Sequence, residues 1–141
     1  MSKHIVITGD KVIFQPNFGI AIAGPIPSIT IEGSGHATIL GENICIDGDE
    51  SNVKLTGVKY SAGAYQILGT CTLTIESLAS DQTANHTYNG KKVITVGSKF
   101  TAKLAVNMPA INPNNPNDKD LTTSYFGNGT FKNTQSFVTA E

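Results

Sequence analysis

The chain has 141 residues, of which 39 % are hydrophobic and 15 % charged, with 14 glycines and a formal net charge of −1. That length allows one core of useful size, and so little charge marks a folded domain rather than a disordered segment. Ten basic residues scattered among eleven acidic ones, with no tryptophan, offer neither a basic field nor a stacking platform, which argues against nucleic acid as a partner.

In chain order, Met1-Ser2-Lys3-His4 leads straight into alternating residues, without the apolar stretch of a signal peptide, so synthesis in the cytoplasm is expected. The longest apolar run, residues 19–27, is too short and too broken by proline to span a bilayer, and no stable membrane anchoring is expected. Period-two alternation then recurs at Ile5/Ile7, Ile29/Ile31, Ile44/Ile46, Leu73/Ile75 and Leu104/Val106, the signature of strands. One short helix candidate covers residues 76–82. After Val106 the texture changes: residues 107–118 are rich in Asn and Pro and read as a long surface loop able to hold neither helix nor ladder. Tyr125-Phe126-Gly127-Asn128-Gly129-Thr130-Phe131 reads as a final hairpin turning at Asn128-Gly129, its aromatics packed back on the body. The expected organisation is a body over 1–106 and an extension over 107–141.

An internal repeat organises the strands. Aligned on Gly9, Gly33, Gly48, Gly69 and Gly97, the chain places Ile5, Ile29, Ile44, Tyr65 and Val93 four residues earlier, and Ile7, Ile31, Ile46, Ile67 and Thr95 two residues earlier. Asp10, Ser34, Asp49, Thr70 and Ser98 follow the glycines. Two positions two apart share one face of a strand, so each copy buries the same pair. The glycine then permits a left-handed turn, and the polar residue after it can bond nearby N–H groups. The spacings of 24, 15, 21 and 28 residues are too uneven for a regular solenoid. Longer similarities starting at Ile29, Tyr65 and Val93 suggest three copies packed about a pseudo-threefold axis. The expected fold is therefore all-β, a compact pseudo-threefold β-prism or cone of short strands, against a generic sandwich with similar turns.

Candidate chemistry is sparse. His4, His36 and His86 with Cys45 and Cys71 are possible zinc ligands, but without Cys-x2-Cys or His-x3-His they would have to converge through the fold. The plain reading is surface histidines and two buried thiols, since a cytosolic pair of cysteines is seldom a disulfide. Asp47, Asp49 and Glu50 have the composition of a calcium loop or a glycosidase pair, yet they flank a glycine at a strand end, where turn chemistry explains them. No nucleophile elbow, P-loop or zinc-protease motif is present, and the chain reads as a non-enzyme.

Gly41-Glu42-Asn43-Ile44-Cys45-Ile46-Asp47-Gly48-Asp49 and Gly90-Lys91-Lys92-Val93-Ile94-Thr95-Val96-Gly97-Ser98 resemble the strand-and-turn units of PAAR-like proteins, the spike tips of contractile injection systems such as type VI secretion and phage-tail-like particles. The resemblance covers roughly residues 1–106. It implies a conical cap on a trimeric spike that helps pierce a target membrane, delivered outside the cell as part of the particle, with the extension available to a cargo effector. It also implies one zinc or iron ion at the apex, held by His4, His36, His86 and one of Cys45 or Cys71. Two other classes stay open on sequence: a lectin- or adhesin-like β-sandwich reading a ligand through residues 112–124, and a small hydrolase with a dispersed Ser/His/Asp set.

Overall fold

β-branched residues at alternate positions, punctuated by Gly and Asn, leave the chain little choice but strands. The computed structural model describes residues 3–27, 29–35, 38–39, 41–88, 91–132 and 139–140. Its strands are β1 (Lys3–His4), β2 (Lys11–Phe14), β3 (Asn17–Phe18), β4 (Ala21–Ala23), β5 (Ile29–Thr30), β6 (Thr38–Ile39), β7 (Glu42–Asn43), β8 (Lys54–Ala62), β9 (Tyr65–Ser77), β10 (Thr83–Tyr88), β11 (Lys91–Ile94), β12 (Phe100–Met108), β13 (Ile111–Asn112), β14 (Asn115–Lys119), β15 (Ser124–Lys132) and β16 (Thr139–Ala140). Single turns of 3-10 helix occupy Asp49–Asn52 and Ser80–Gln82.

One curled sheet makes the body, in the order β3-β4-β8-β9-β12-β15-β2-β5, with the β13–β14 hairpin attached beside β9. Its logic is threefold. Strands β2, β8 and β12 run away from one end, and each pairs with a returning strand, β5, β9 and β15. Neighbouring units join antiparallel: β9 to β12, β15 to β2, and β4 to β8. The returning strand of the first unit is thus split into β4, which closes against β8, and β5, which closes against β2. Between them lies Gly24-Pro25-Ile26-Pro27, where two prolines have no N–H to offer a ladder. The body is an all-β pseudo-threefold cone, as the repeat implies. It is not fully closed; its two edges, β3 and β5, are two residues long, which gives a foreign strand little to pair with.

Inward residues fill the curl. In β2 burial alternates, with Val12 and Phe14 inside and Lys11 and Ile13 outside. Phe100 packs edge-on against Phe14 (ring centroids 5.6 Å apart) and tilted against Phe131 (5.2 Å), joining strands from the first and third units. Tyr60, Leu73, Leu104 and Phe18 complete this core.

Several local expectations change. Residues 76–82 form no α-helix: Glu76 and Ser77 end β9, and only Ser80–Gln82 make a turn of 3-10 helix. Residues 125–131 form no hairpin either. β15 runs straight through Asn128-Gly129, because Gly129 lies where a Cβ would collide with Phe100 and, at 2.6 Å, with the Ile13 carbonyl oxygen. Its aromatics divide: Phe131 is in the core, while Phe126 is 52 % exposed. The Asn/Pro segment does hold a ladder, with Pro116 on the outer strand of a hairpin. Asn112 and Asn115 accept N–H bonds from Asn114 and Asn117, which sets the turns. A two-sheet sandwich is not what forms.

Candidate functional site

Three of the five aligned glycines build one object. Gly9, Gly48 and Gly97 have φ of 93°, 108° and 54°, the left-handed turns the repeat requires. The strands before them close a ring. Ile5 bridges Thr95, Ile7 bridges Ile44, and Ile46 bridges Val93, so the position four before each glycine always meets the position two before another. Val6 N–H donates to Ile94 O (2.9 Å), Ile94 N–H to Cys45 O (3.0 Å), and Cys45 N–H to Val6 O (2.9 Å). A second cycle follows, with Thr8, Asp47 and Val96 N–H groups donating to the carbonyls of Asn43, Lys92 and His4. Each strand therefore takes part in four of six backbone bonds.

Both faces of the ring are buried. Ile7, Ile44, Ile46 and Val93, with Ile5 beside them, form a small cluster of their own, whereas Val6, Cys45 and Ile94 belong to the main core. Successive side chains point to opposite faces, so the repeated pair supplies one cluster and the residue between supplies the other. The ring sits at the end of the sheet from which β2, β8 and β12 depart. Two-stranded ribbons β1–β16, β6–β7 and β10–β11 lead into its three strands.

Each ring strand has one outward N–H, two residues before the glycine, and each is satisfied. Asp10 Oδ2 accepts from Ile7 N–H (2.9 Å), and Asp49 Oδ2 accepts from Ile46 N–H (2.8 Å). Asp49 also holds Ser34, accepting its N–H on Oδ2 (2.9 Å) and its hydroxyl on Oδ1 (2.7 Å). In the third copy Thr95 N–H donates instead to Gln82 O (2.9 Å), because β10 runs alongside that ring strand. A carboxylate is not needed there, and the residue is Ser98, which bonds Asp81 Oδ1. Gln82 is fully buried, its side chain accepting from Ala79 N–H and donating to Val96 O. Asp10 and Asp49 carry a sequence signal, the polar residue after the repeat glycine. Gln82 carries none, since its contribution to the ring is a main-chain carbonyl.

The other two aligned glycines are not turns. Gly69 lies inside β9, where a Cβ would press on Met108 O and stand 2.6 Å from Ala110 N. At Gly33 a Cβ would press on Ile44 O and stand 2.7 Å from Asn43 O. Both are glycine because another backbone passes close, so the copies starting at Ile29 and Tyr65 are not ring units.

Three of the five metal candidates have described side chains. His4 is half-buried just before the ring, its carbonyl engaged by Val96 and its Nδ1 enclosed with no hydrogen-bond partner among the described residues. Its threefold counterparts are Asn43 and Lys92, so the symmetry does not repeat the imidazole. His36 lies outside the described residues. His86 is on β10, its side chain outside them. Cys45 is fully buried in the ring, and burial, then the charges of Asp49 and Asp10, push its thiol far up. Cys71 is buried in β9 and donates to Val58 O (3.3 Å); burial pushes it up to about 11. Among the described residues no group of three or more His, Cys, Asp or Glu could hold a metal ion. The carboxylates near Gly48 are turn residues: Asp47 is exposed, Asp49 is spent on Ile46 and Ser34, and Glu50 accepts from Gly48 N–H.

A second polar knot holds the opposite end. Asp120, almost fully buried, accepts from Tyr60 (2.9 Å), Tyr125 (2.8 Å) and Thr122 N–H, and its own N–H donates to Ala110 O. Tyr60 also receives Ala110 N–H. Nothing in the sequence singles out Asp120.

A ring of strands closed about one axis, on a curled sheet, defines an all-β body. The profile of the family described as contractile injection system spike tip protein matches residues 1–141, and the chain belongs to that family. Comparison with curated proteins finds no match. The spike-tip resemblance of the two ring units, residues 41–49 and 90–98, thus holds for the whole chain. As a member of this family, the protein is a component of a contractile injection machine that associates with its spike. Among the described residues no helix is long and apolar enough to cross a membrane.

Proposed function

We propose that this protein caps the end of a trimeric spike and leads it through a target membrane, acting by shape rather than by chemistry. The single observation that carries this reading is the cyclic pairing of the three ring strands. A pseudo-threefold body can sit on a threefold spike with the axes coincident, so thrust along the axis is shared among three units. Pulling out one ring strand means breaking four of the six backbone bonds together and exposing apolar side chains on both faces. Such a body resists stepwise fraying under load.

Stoichiometry tests the reading. Mixed with the trimeric spike protein of its own machine, the full chain is expected to form a complex of one tip per three spike subunits by light scattering. No complex at micromolar concentration, or three tips per trimer, overturns it.

A further inference from the structure

We propose that the flank where the third unit meets the first is a docking site for one acidic, extended segment of a protein partner other than the spike, a segment that sets an apolar side chain beside carboxylates. Such a site adds a second partner to the spike-tip reading and does not depend on it.

Each unit carries an exposed lysine where its outgoing strand begins, opposite a threonine of its returning strand. Lys11 pairs with Thr30, and Lys54 with Thr74. Lys99 directly precedes Phe100, whose partner Gly129 directly precedes Thr130. Two residues past that threonine the first and second units carry an exposed glutamate, Glu32 and Glu76, diagonal to the lysine and within its reach. The third unit carries Lys132 instead, and Lys132 pairs directly with Lys11 of the first. Like charges directly opposite on one sheet face are destabilising. Lys11, Lys99 and Lys132, all exposed, thus gather three ammonium groups on one flank, where an anionic partner relieves their repulsion. Asp10, next to Lys11, is buried on Ile7 N–H, and Asp81 holds the Ser98 hydroxyl.

An apolar notch of about 220 Å³ adjoins the lysines, lined by Val12, Ile13, Phe14, Ile26 and Pro27. It opens where β5 stops pairing β2, because Gly24-Pro25-Ile26-Pro27 carries the chain between β4 and β5 and its prolines have no N–H to pair. A cavity of about 150 Å³ already takes a benzene-sized group, so the notch has room for one leucine-sized side chain. Ile13, 39 % exposed, pairs with Thr130 and shares the outer face with Lys11, about 7 Å along the strand.

Charge and notch together define the occupant. Three ammonium groups call for an anion, and the notch beside them for an apolar side chain. Alternate residues of an extended chain share a face at the spacing of Lys11 and Ile13, so a segment with an apolar anchor and carboxylates two residues further on meets both. Among the described residues the combination occurs once. At the matching place between the second and third units stands Glu76, and β9 runs unbroken. A threefold partner therefore cannot use the site on all its subunits, and a bilayer surrounding the body meets this basic patch on one side only. A single-copy protein, off the axis, fits.

The test titrates the folded full chain into a fluorescein-labelled heptapeptide, Glu-Ser-Glu-Ser-Leu-Ser-Glu, at low ionic strength and reads anisotropy; phosphatidylglycerol vesicles are the second probe. The parent is expected to bind the peptide saturably, with a Kd below about 1 mM. Lys132→Glu gives the third unit the residue of the other two. It is expected to weaken binding at least about tenfold while raising the urea midpoint, because it removes the opposition to Lys11. Ile13→Thr, or serine in place of the peptide's leucine, is expected to weaken binding at least about fivefold, and Lys54→Glu on the second unit to bind like the parent. Lost affinity with gained stability separates a docking site from a structural role, and a lowered midpoint in Lys132→Glu overturns the proposal. So does an absence of saturable binding by the parent, equal weakening by Lys132→Glu and Lys54→Glu, or full affinity in Ile13→Thr. Vesicle binding that Lys132→Glu abolishes, without peptide binding, makes the partner a membrane and overturns it too. None of these outcomes involves the spike, so the spike-tip reading stands or falls separately.

Discussion

Asp49 offers the sharpest test of how the ring is held. Replacing it with alanine strands Ile46 N–H, which is buried, and Ser34 N–H and hydroxyl, which are partly buried. Hydrogen bonds to a charged acceptor contribute roughly 1.5–3 kcal/mol each, and water can reach only the Ser34 groups, so the loss is about 3 kcal/mol. At a urea slope of about 2 kcal/mol/M the unfolding midpoint falls by about 1.5 M. Asp49→Asn keeps one oxygen for both N–H groups, and its amide can donate to the Ser34 hydroxyl, so it costs about 1 kcal/mol. The third copy supplies the internal control. Ser98→Ala removes only an exposed bond to Asp81, because Gln82 O already satisfies Thr95 N–H, and it costs less than about 1 kcal/mol. Equilibrium urea unfolding followed by far-ultraviolet circular dichroism, at constant slope, reads all three. An Asp49→Ala variant as stable as the parent, or a Ser98→Ala variant as damaged as Asp49→Ala, would refute the outward N–H argument.

Alkaline stability follows from groups raised on folding. Cys71 rises from 9.0 to about 11 and Tyr60 from 10.0 to about 12, so above the ordinary values the unfolded chain releases protons that the folded chain keeps. The contribution of these two groups should be constant below about pH 9, and stability should fall steadily from there to about pH 12; a rise over that window in pH-dependent unfolding contradicts the assignment. Both cysteines should resist a thiol reagent at pH 8 until the chain unfolds, and rapid labelling of native protein would be the contrary result. Elemental analysis tests the cysteine ligand: Cys45→Ser or Cys71→Ser should lower the metal content of purified protein if that residue holds the ion, and unchanged content in both variants removes it. Gly69→Ala should be among the most damaging single changes, several kcal/mol by backbone collision, whereas Gly57→Ala, with φ of 74° and open space, should cost about 1 kcal/mol. Thermal denaturation ranks the pair, and equal losses would show that the close approach at Gly69 relaxes.

The strand-and-turn unit was legible because its period and its turn residue sit within six consecutive positions. Ile5-Val6-Ile7-Thr8-Gly9-Asp10 and Ile44-Cys45-Ile46-Asp47-Gly48-Asp49 state the inward pair, the left-handed glycine and the carboxylate in one phrase. Sequence could not say which of five such phrases meet. A glycine required by a left-handed turn, as at Gly48, and one required by a passing backbone, as at Gly69, are the same letter. The same blindness produced a false hairpin at Asn128-Gly129, where the glycine makes room for Phe100. The burial of Cys45 and Cys71 comes from strands far apart in sequence, so it could not be read from the spacing of the cysteines.

The imperfect third copy is more informative than the two perfect ones. Read as sequence, Thr95 and Ser98 depart from the Ile and Asp of the other two ring units. In the fold, β10 has come to lie against this ring strand and brings the Gln82 carbonyl to the Thr95 N–H, while Thr95 Oγ1 donates to Asp81 O. Among the described residues no strand lies beside the same place on the other two, and there a side-chain carboxylate serves. What the three ring strands share is therefore a satisfied outward N–H, by whichever acceptor the neighbourhood provides. Replacing Asp10 or Asp49 therefore costs the ring an acceptor while replacing Ser98 does not, because only the first two are the sole described acceptors of the ring amides they face.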